Sequence, residues 1–140
     1  MKLQVLFVVT IVLLFNQVLS AQQIERPANY NLVFLLRNPE HIGQALKTIE
    51  QLYSGKSDIR PGNIEIIVCG QAVTALTEAQ AAAWAKNIAT YPSASILACG
   101  LSMNKFNVSK DKLVPGIGYI ENGFIRAFEV QKKGYLSVEL

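Results

Sequence analysis

Nearly continuous apolar runs alternate with segments of helical periodicity along this chain, and that alternation constrains the fold more than any other feature. Tyr30 to Leu36 (YNLVFLL) is apolar at almost every position, as expected of a strand covered on both faces. Ile64 to Cys69 repeats the pattern with β-branched residues, and Ala94 to Ala98 gives a third strand. Shorter strands are expected at Ile117 to Ile120 and Tyr135 to Glu139. With helical segments between them, the order is β-α-β-α-β-α-β-α-β. Strands and helices alternating at short spacing imply a mainly parallel sheet with helices on both faces. The expected fold class is α/β: a three-layer α/β/α single domain with a sheet of about five strands, flavodoxin-like in general layout.

The helix boundaries carry local signals. Asn38-Pro39 is expected to open the first helix, with Asn as the N-cap and Pro in the first turn, where its missing N–H costs nothing. Ile42, Ala45, Leu46, Ile49, Leu52 and Tyr53 recur at helical spacing, and Gly55 is the stop. Pro61-Gly62 is expected to turn the chain into the second strand. Thr77-Glu78-Ala79-Gln80 matches a capping box for a helix that runs through Trp84 and Ile88 and ends before Pro92. A short helix is expected near Leu101 to Phe106. Asn122 caps a last helix over Phe124 to Lys133, whose Lys132 and Lys133 suit its negative end, and Gly134 stops it.

The chain has 140 residues, of which 51% are hydrophobic and 16% charged. That balance excludes a disordered tail and a basic nucleic-acid-coating domain. Much of the apolar excess lies at the front, in MKLQVLFVVTIVLLFNQVLS. Lys2, an apolar run from Leu3 to Phe15, and polar Asn16 and Gln17 make the three parts of a secretory signal. The run is too short to span a bilayer core that needs about 20 residues. Val18 and Ser20 suit a cleavage site after Ser20, with Ala21 as the alternative. The expected organisation is a signal peptide at 1–20, a short lead at 21–29 and the α/β domain at 30–140. Loss of Lys2 takes the formal charge from +3 to +2, which points to neither nucleic acid nor a membrane surface as partner. The mature product is expected to be secreted or periplasmic, with no membrane attachment after signal removal.

Several chemistries are absent from the sequence. One histidine and two cysteines do not build a metal site from one chain. There is no phosphate-cradling loop, and Gly116, Gly118 and Gly123 are spaced wrongly for a dinucleotide fingerprint. There is no nucleophile elbow. No cofactor and no metal are expected. His41, beside Glu40 on the first helix, reads as part of a solvated face. The sequon Asn107-Val108-Ser109 matters only in a eukaryotic secretory pathway.

What remains is Cys69 and Cys99. Both stand at the C-terminal ends of predicted strands and each is followed by glycine, Gly70 and Gly100. In an open α/β sheet that edge is where ligands and reactive groups collect. Cys99 also precedes a predicted helix, whose positive N-terminal end favours thiolate over thiol; Lys105 would add to this. Gly100 would let a partner's sulfur approach. Three readings are open: two buried core cysteines, a Cys69–Cys99 disulfide in an oxidising compartment, or a reactive Cys99 with Cys69 as a resolving thiol. Exposure decides reactivity.

From Tyr30 to the C-terminus the layout resembles the DsrE/DsrF-like family of small α/β proteins, which includes sulfur-relay subunits. The stretch ILACGLSMNKFNVSKDKLVPGIGYIENGFIRAFEVQKKGYLSVEL carries the resemblance. It is similar to that family's strand–Cys–Gly–helix, then a Leu-Val-Pro-Gly turn, then a helix ending in a Gln-x-x-Gly-Tyr strand. In the relay members the matching cysteine accepts a persulfide sulfur, and that position here is Cys99. Cys69-Gly70 stands where related sequences often carry His-Gly. The known relay members are cytoplasmic, whereas this chain carries an export signal. The resemblance implies a sulfur or thiol-redox carrier, a homo-oligomer (trimer or hexamer), and protein sulfur donors and acceptors. The alternative is a non-catalytic oligomeric binding or assembly module of the same fold, with Trp84 and the Ala-rich helix either at its interface or packed inside the monomer.

Overall fold

The computed structural model describes residues 29–140; the expected signal (1–20) and nearly all of the lead (21–29) lie outside the described residues. Five strands form one sheet: β1 (Tyr30–Leu36), β2 (Pro61–Val68), β3 (Ala94–Cys99), β4 (Gly118–Ile120) and β5 (Leu136–Glu139). The order across the sheet is β4-β3-β2-β1-β5, and every neighbouring pair is parallel. The helices are α1 (Pro39–Tyr53), α2 (Ala79–Ile88), α3 (Gly100–Lys105) and α4 (Gly123–Lys132), with 3-10 segments at Gly70–Thr77 and Lys110–Lys112. The architecture is the expected three-layer α/β/α sheet.

The topology decides how the layers are filled. From β1 to β4 the chain steps across the sheet in one direction, so right-handed crossovers put α1, α2 and α3 on the same face. The step from β4 to β5 runs back past β1, and the same handedness places α4 on the opposite face. The first face holds the larger core: Leu32, Phe34 and Leu36 of β1, Ile64, Ile66 and Val68 of β2, and Ile96 and Ala98 of β3. These pack against Ile42, Leu46 and Ile49 of α1, with Val73, Leu76 and Met103 from the following segments. The second face is thinner. Val33, Ile67, Cys69 and Cys99 lie under Ala127 and Val130 of α4. The two cysteines therefore belong to the layer covered by a single ten-residue helix.

Several local expectations need correction. Cys69 falls just past the end of β2, and Pro61 and Gly62 lie inside that strand rather than in a turn. Pro at the first strand position loses no ladder bond, and Asn31 Oδ1 accepts from the Asn63 N–H at 2.8 Å to hold the start of the strand. Asn38 precedes α1 but makes no side-chain cap; its Nδ2 donates to Glu40 Oε1 at 2.7 Å instead. The capping box at Thr77 does not form either. Residues 70–77 are already a 3-10 segment, so the Thr77 hydroxyl donates back to the Thr74 carbonyl at 2.9 Å, and Glu78 is the uncapped start of α2. His41 is half-buried rather than solvated, and its Nδ1 is buried without a hydrogen-bond partner among the described residues. Trp84 packs against the larger core, inside the monomer.

Asn122 does cap as expected: its Oδ1 accepts from the Phe124 N–H at 3.0 Å and the Ile125 N–H at 3.4 Å. The contrast between two asparagines at helix starts gives a direct test. Asn122→Ala is expected to cost about 1 kcal/mol of unfolding free energy, and Asn38→Ala only a few tenths, by chemical denaturation of both variants. Equal losses would contradict the assignment of the cap.

Candidate functional site

Cys69 and Cys99 follow paired residues on adjacent parallel strands, since Val68 is in register with Ala98. Strand spacing of about 5 Å and their common face bring the two side chains together, as their shared cluster with Ile67 and Val33 records. Both are free thiols. Each is buried, Cys69 at 1% and Cys99 at 0% exposure. A donor in solution therefore does not reach Cys99 directly in this conformation.

What covers them is the N-terminus of α4. Its first residue, Gly123, points its N–H at Cys99 Sγ, 3.2 Å away. A Cβ on Gly123 would stand 2.5 Å from Cys69 Sγ, 2.9 Å from Ile67 Cγ2 and 3.2 Å from Cys99 Cβ. No side chain larger than hydrogen fits there without moving the helix, so this glycine is required by close approach.

The environment separates the two thiols electrostatically. Burial alone would raise the Cys99 pKa, but the Gly123 N–H, the Ser102 hydroxyl and N–H, and a hydrogen bond from Cys69 outweigh it, and the pKa lies below the ordinary cysteine value. Cys69 goes the other way. Burial, the neighbouring charge of Cys99 and its hydrogen bond to that sulfur push it up to about 12, against smaller opposing effects from Arg37 and Ser102. Of the pair, Cys99 is the thiol that ionises first. Thiolate stabilisation at a helix N-terminus was expected from the helix that follows Cys99; the stronger donor is the first N–H of α4, which arrives from the other side of the sheet.

Beside the pair lies a cavity of about 290 Å³ lined by Arg37, Cys69, Gly70, Leu101, Ser102, Lys105, Phe106 and Phe124. Cys69, not Cys99, forms part of its wall. Gly70 turns the chain sharply at a left-handed φ of +56°, and its N–H donates to Ser102 Oγ at 2.8 Å, which fixes the hydroxyl at the cavity edge. Arg37 leaves the end of β1, pairs with Glu139 at 2.6 Å and lies 5.3 Å from the centre of the Phe124 ring. Lys105 is on the cavity wall, with Nζ 5.7 Å from the Phe106 ring centre. Gly100 does not serve as a sulfur entry: the Tyr119 ring and hydroxyl and the Glu121 carbonyl occupy the space beside it. Among the described residues there is no cluster of three metal-ligating side chains, and no helix is long and apolar enough to cross a membrane.

The sequence pointed to the Cys69 and Cys99 strand ends, and the two cysteines share one cluster; Gly70 and Lys105 line the cavity with Cys69, and Lys105 is not among the groups that lower the Cys99 pKa. Sequence reasoning missed Arg37, Ser102, Gly123 and Phe124. The rule that selected the cysteines also reaches Arg37, the first residue after the apolar run of β1. Nothing local marks Gly123, whose role depends on a contact with residues 24 and 54 positions earlier.

No family model and no curated protein matches this sequence. Solved structures do resemble it. A protein of unknown function from Methanobacterium thermoautotrophicum, MTH1491, superposes with a TM-score of 0.67 at 14% identity, over 80% of this chain and all of that one. A conserved protein of unknown function from Bacteroides thetaiotaomicron, BT1422, gives a TM-score of 0.58 at 19% identity, over 79% of this chain and 94% of that one. At these identities the likeness is one of fold.

The unequal acidities are measurable. Thiolate absorbance, referenced to the variant lacking both cysteines, is expected to rise in two steps: one below the ordinary cysteine value and one near pH 12. In Cys99→Ala the first step disappears and the second moves down, because the neighbouring thiolate that raises Cys69 is gone. In stability terms, Cys69 stays protonated in the folded state while the unfolded thiol ionises from about pH 8.5. Its contribution to stability therefore falls as pH rises from there towards 12. Two coincident steps at the ordinary value would contradict the coupling. Gly123→Ala is expected to destabilise by about 1–3 kcal/mol and to raise the first titration step by displacing the N–H from Cys99.

Proposed function

We propose that this protein is an exported thiol-redox or sulfur carrier of the DsrE-like kind, and that Cys69 and Cys99 act as one unit. The observation that carries this reading is the pair itself: two free thiols side by side at the ligand-binding edge of a parallel sheet, with their acidities driven apart. Perturbed titration at a cleft is a recognised mark of functional groups. Once Cys99 has ionised, its thiolate takes the proton of Cys69, the cysteine that lines the cavity where a donor would sit. Passing that proton from Cys69 to Cys99 leaves a thiolate on Cys69. That thiolate attacks the outer sulfur of a donor persulfide, R–S–SH. The product is Cys69–S–SH, and the donor leaves as R–S⁻. An acceptor thiolate takes the sulfur by the same exchange in reverse. Cys69 takes the donor in this scheme because it lines the cavity and Cys99 does not.

Incubation with an inorganic polysulfide followed by intact mass and site mapping tests the reading. The expected result is one added sulfur on the wild-type chain, lost on treatment with a thiol, and none on Cys69→Ala. An unmodified wild-type chain, or loading indifferent to both cysteines, would overturn it.

A second reading has its own support. Phe124, Ile125 and Phe128 on α4 are exposed, Phe128 by 68%, and Leu136 and Val138 on β5 are exposed as well. So many large apolar side chains at the surface favour association, and the reading is a homo-oligomeric assembly module in which the buried cysteines are structural. Phe128→Glu is expected to shift the sedimentation coefficient of an oligomer to that of a monomer. A wild-type chain that sediments as a monomer at every concentration would remove this reading.

A further inference from the structure

The cavity beside Cys69 has a charge character that the thiol chemistry leaves unused. Among its lining residues are two cations, Arg37 and Lys105, and no acidic side chain. Lys105 forms no ion pair among the described residues. Arg37 has one partner, Glu139, but both side chains of that pair are more than half exposed, so the pair is weak and readily exchanged for another anion. The Phe124 ring beneath the guanidinium holds Arg37 over the cavity. The Ser102 hydroxyl accepts from the Gly70 N–H at the cavity edge and turns its own proton to the thiol pair, so the charge on the cavity wall comes from Arg37 and Lys105 alone. At about 290 Å³ the space suits a molecule of roughly ten to fifteen heavy atoms, at the lower end of small-molecule sites.

We propose that this cavity selects small disulfides bearing carboxylates, binds them through Arg37 and Lys105 with the S–S bond against Cys69, and reduces them at the expense of the Cys69–Cys99 dithiol. The proposal rests on the thiol-redox reading above and names its substrate class. Cys69, after passing its proton to Cys99, attacks one sulfur of R–S–S–R to give Cys69–S–S–R and R–S⁻. The departing thiolate takes the proton from Cys99. The Cys99 thiolate then attacks the Cys69 sulfur, expelling the second R–S⁻ and closing a Cys69–Cys99 disulfide. Two electrons pass from the protein to the substrate, and one disulfide replaces another. Cys99 needs no access to solvent for its step, because its target sulfur is its neighbour.

The experiment uses three disulfides of similar size and different charge: dithiodiglycolate (anionic), hydroxyethyl disulfide (neutral) and cystamine (cationic). Oxidation of the mature protein is followed by intact mass, and each rate is divided by that of N-acetylcysteine with the same disulfide. The expected result is a normalised preference for dithiodiglycolate over the neutral probe of about tenfold or more at low salt, shrinking as salt rises. Arg37→Gln and Lys105→Gln each reduce that preference several-fold. Cys99→Ser stops at a mixed disulfide on Cys69, seen as an adduct of one half-probe. Equal normalised rates for all three probes, or a preference for cystamine, would overturn the substrate class and leave the thiol-redox reading standing. If no probe of any charge oxidises the pair, that reading fails with it.

Discussion

The contact on which the rest of this molecule depends is the approach of the α4 N-terminus onto two sulfurs. The second face of the sheet carries one helix, and that helix sits low because Gly123 has no side chain to hold it away from Cys69 and Cys99. The same approach delivers a backbone N–H to Cys99 Sγ. Burial of a thiolate is ordinarily unfavourable; here the donor that buries it also stabilises it. Structure and acidity therefore share one cause.

The helix is held in that position at its next turn. Arg126 on α4 reaches Glu65 in the middle of β2, with Nε donating to Oε2 at 2.8 Å and Nη2 to Oε1. Glu65 is only 8% exposed, so removal of Arg126 would strand its carboxylate against an apolar sheet, a far larger penalty than the loss of a surface pair. Glu65, Ile67 and Cys69 lie on the same face of β2, at alternate positions. The ion pair, the packing under Ala127 and the glycine contact thus line up along one strand, and anything that lifts α4 must break them in turn. The cavity lined by Cys69 opens beside that layer, between Arg37, Ser102 and Phe124.

Much of this was legible in the sequence. β1 has the boundaries that YNLVFLL implies, and both cysteines stand at the strand ends where the apolar runs stop. Periodicity and turn residues are local, and so they report strands and helices faithfully. The cap signals were less reliable for the same reason: Asn38 and Thr77 had other hydrogen-bond partners within a few residues, and geometry chose those. The distribution of helices between the faces was not legible, because it follows from the strand order, with β5 returning beside β1. The site was half legible. Cys69 and Cys99 announce themselves, but Arg37, Ser102 and Gly123 come from three other elements, and only the folded sheet brings them to the same sulfurs.

In the proposed function Cys69 and Cys99 are one dithiol rather than two core residues. Equilibrating the protein with thiol–disulfide buffers of stepped potential, then quenching and weighing the intact chain, separates the two. The expected result is a single reversible transition to an intramolecular disulfide, lighter by two hydrogens, that is absent from Cys69→Ala and Cys99→Ala. A chain whose two thiols remain free across the whole range, or that forms only adducts with the buffer, would contradict it.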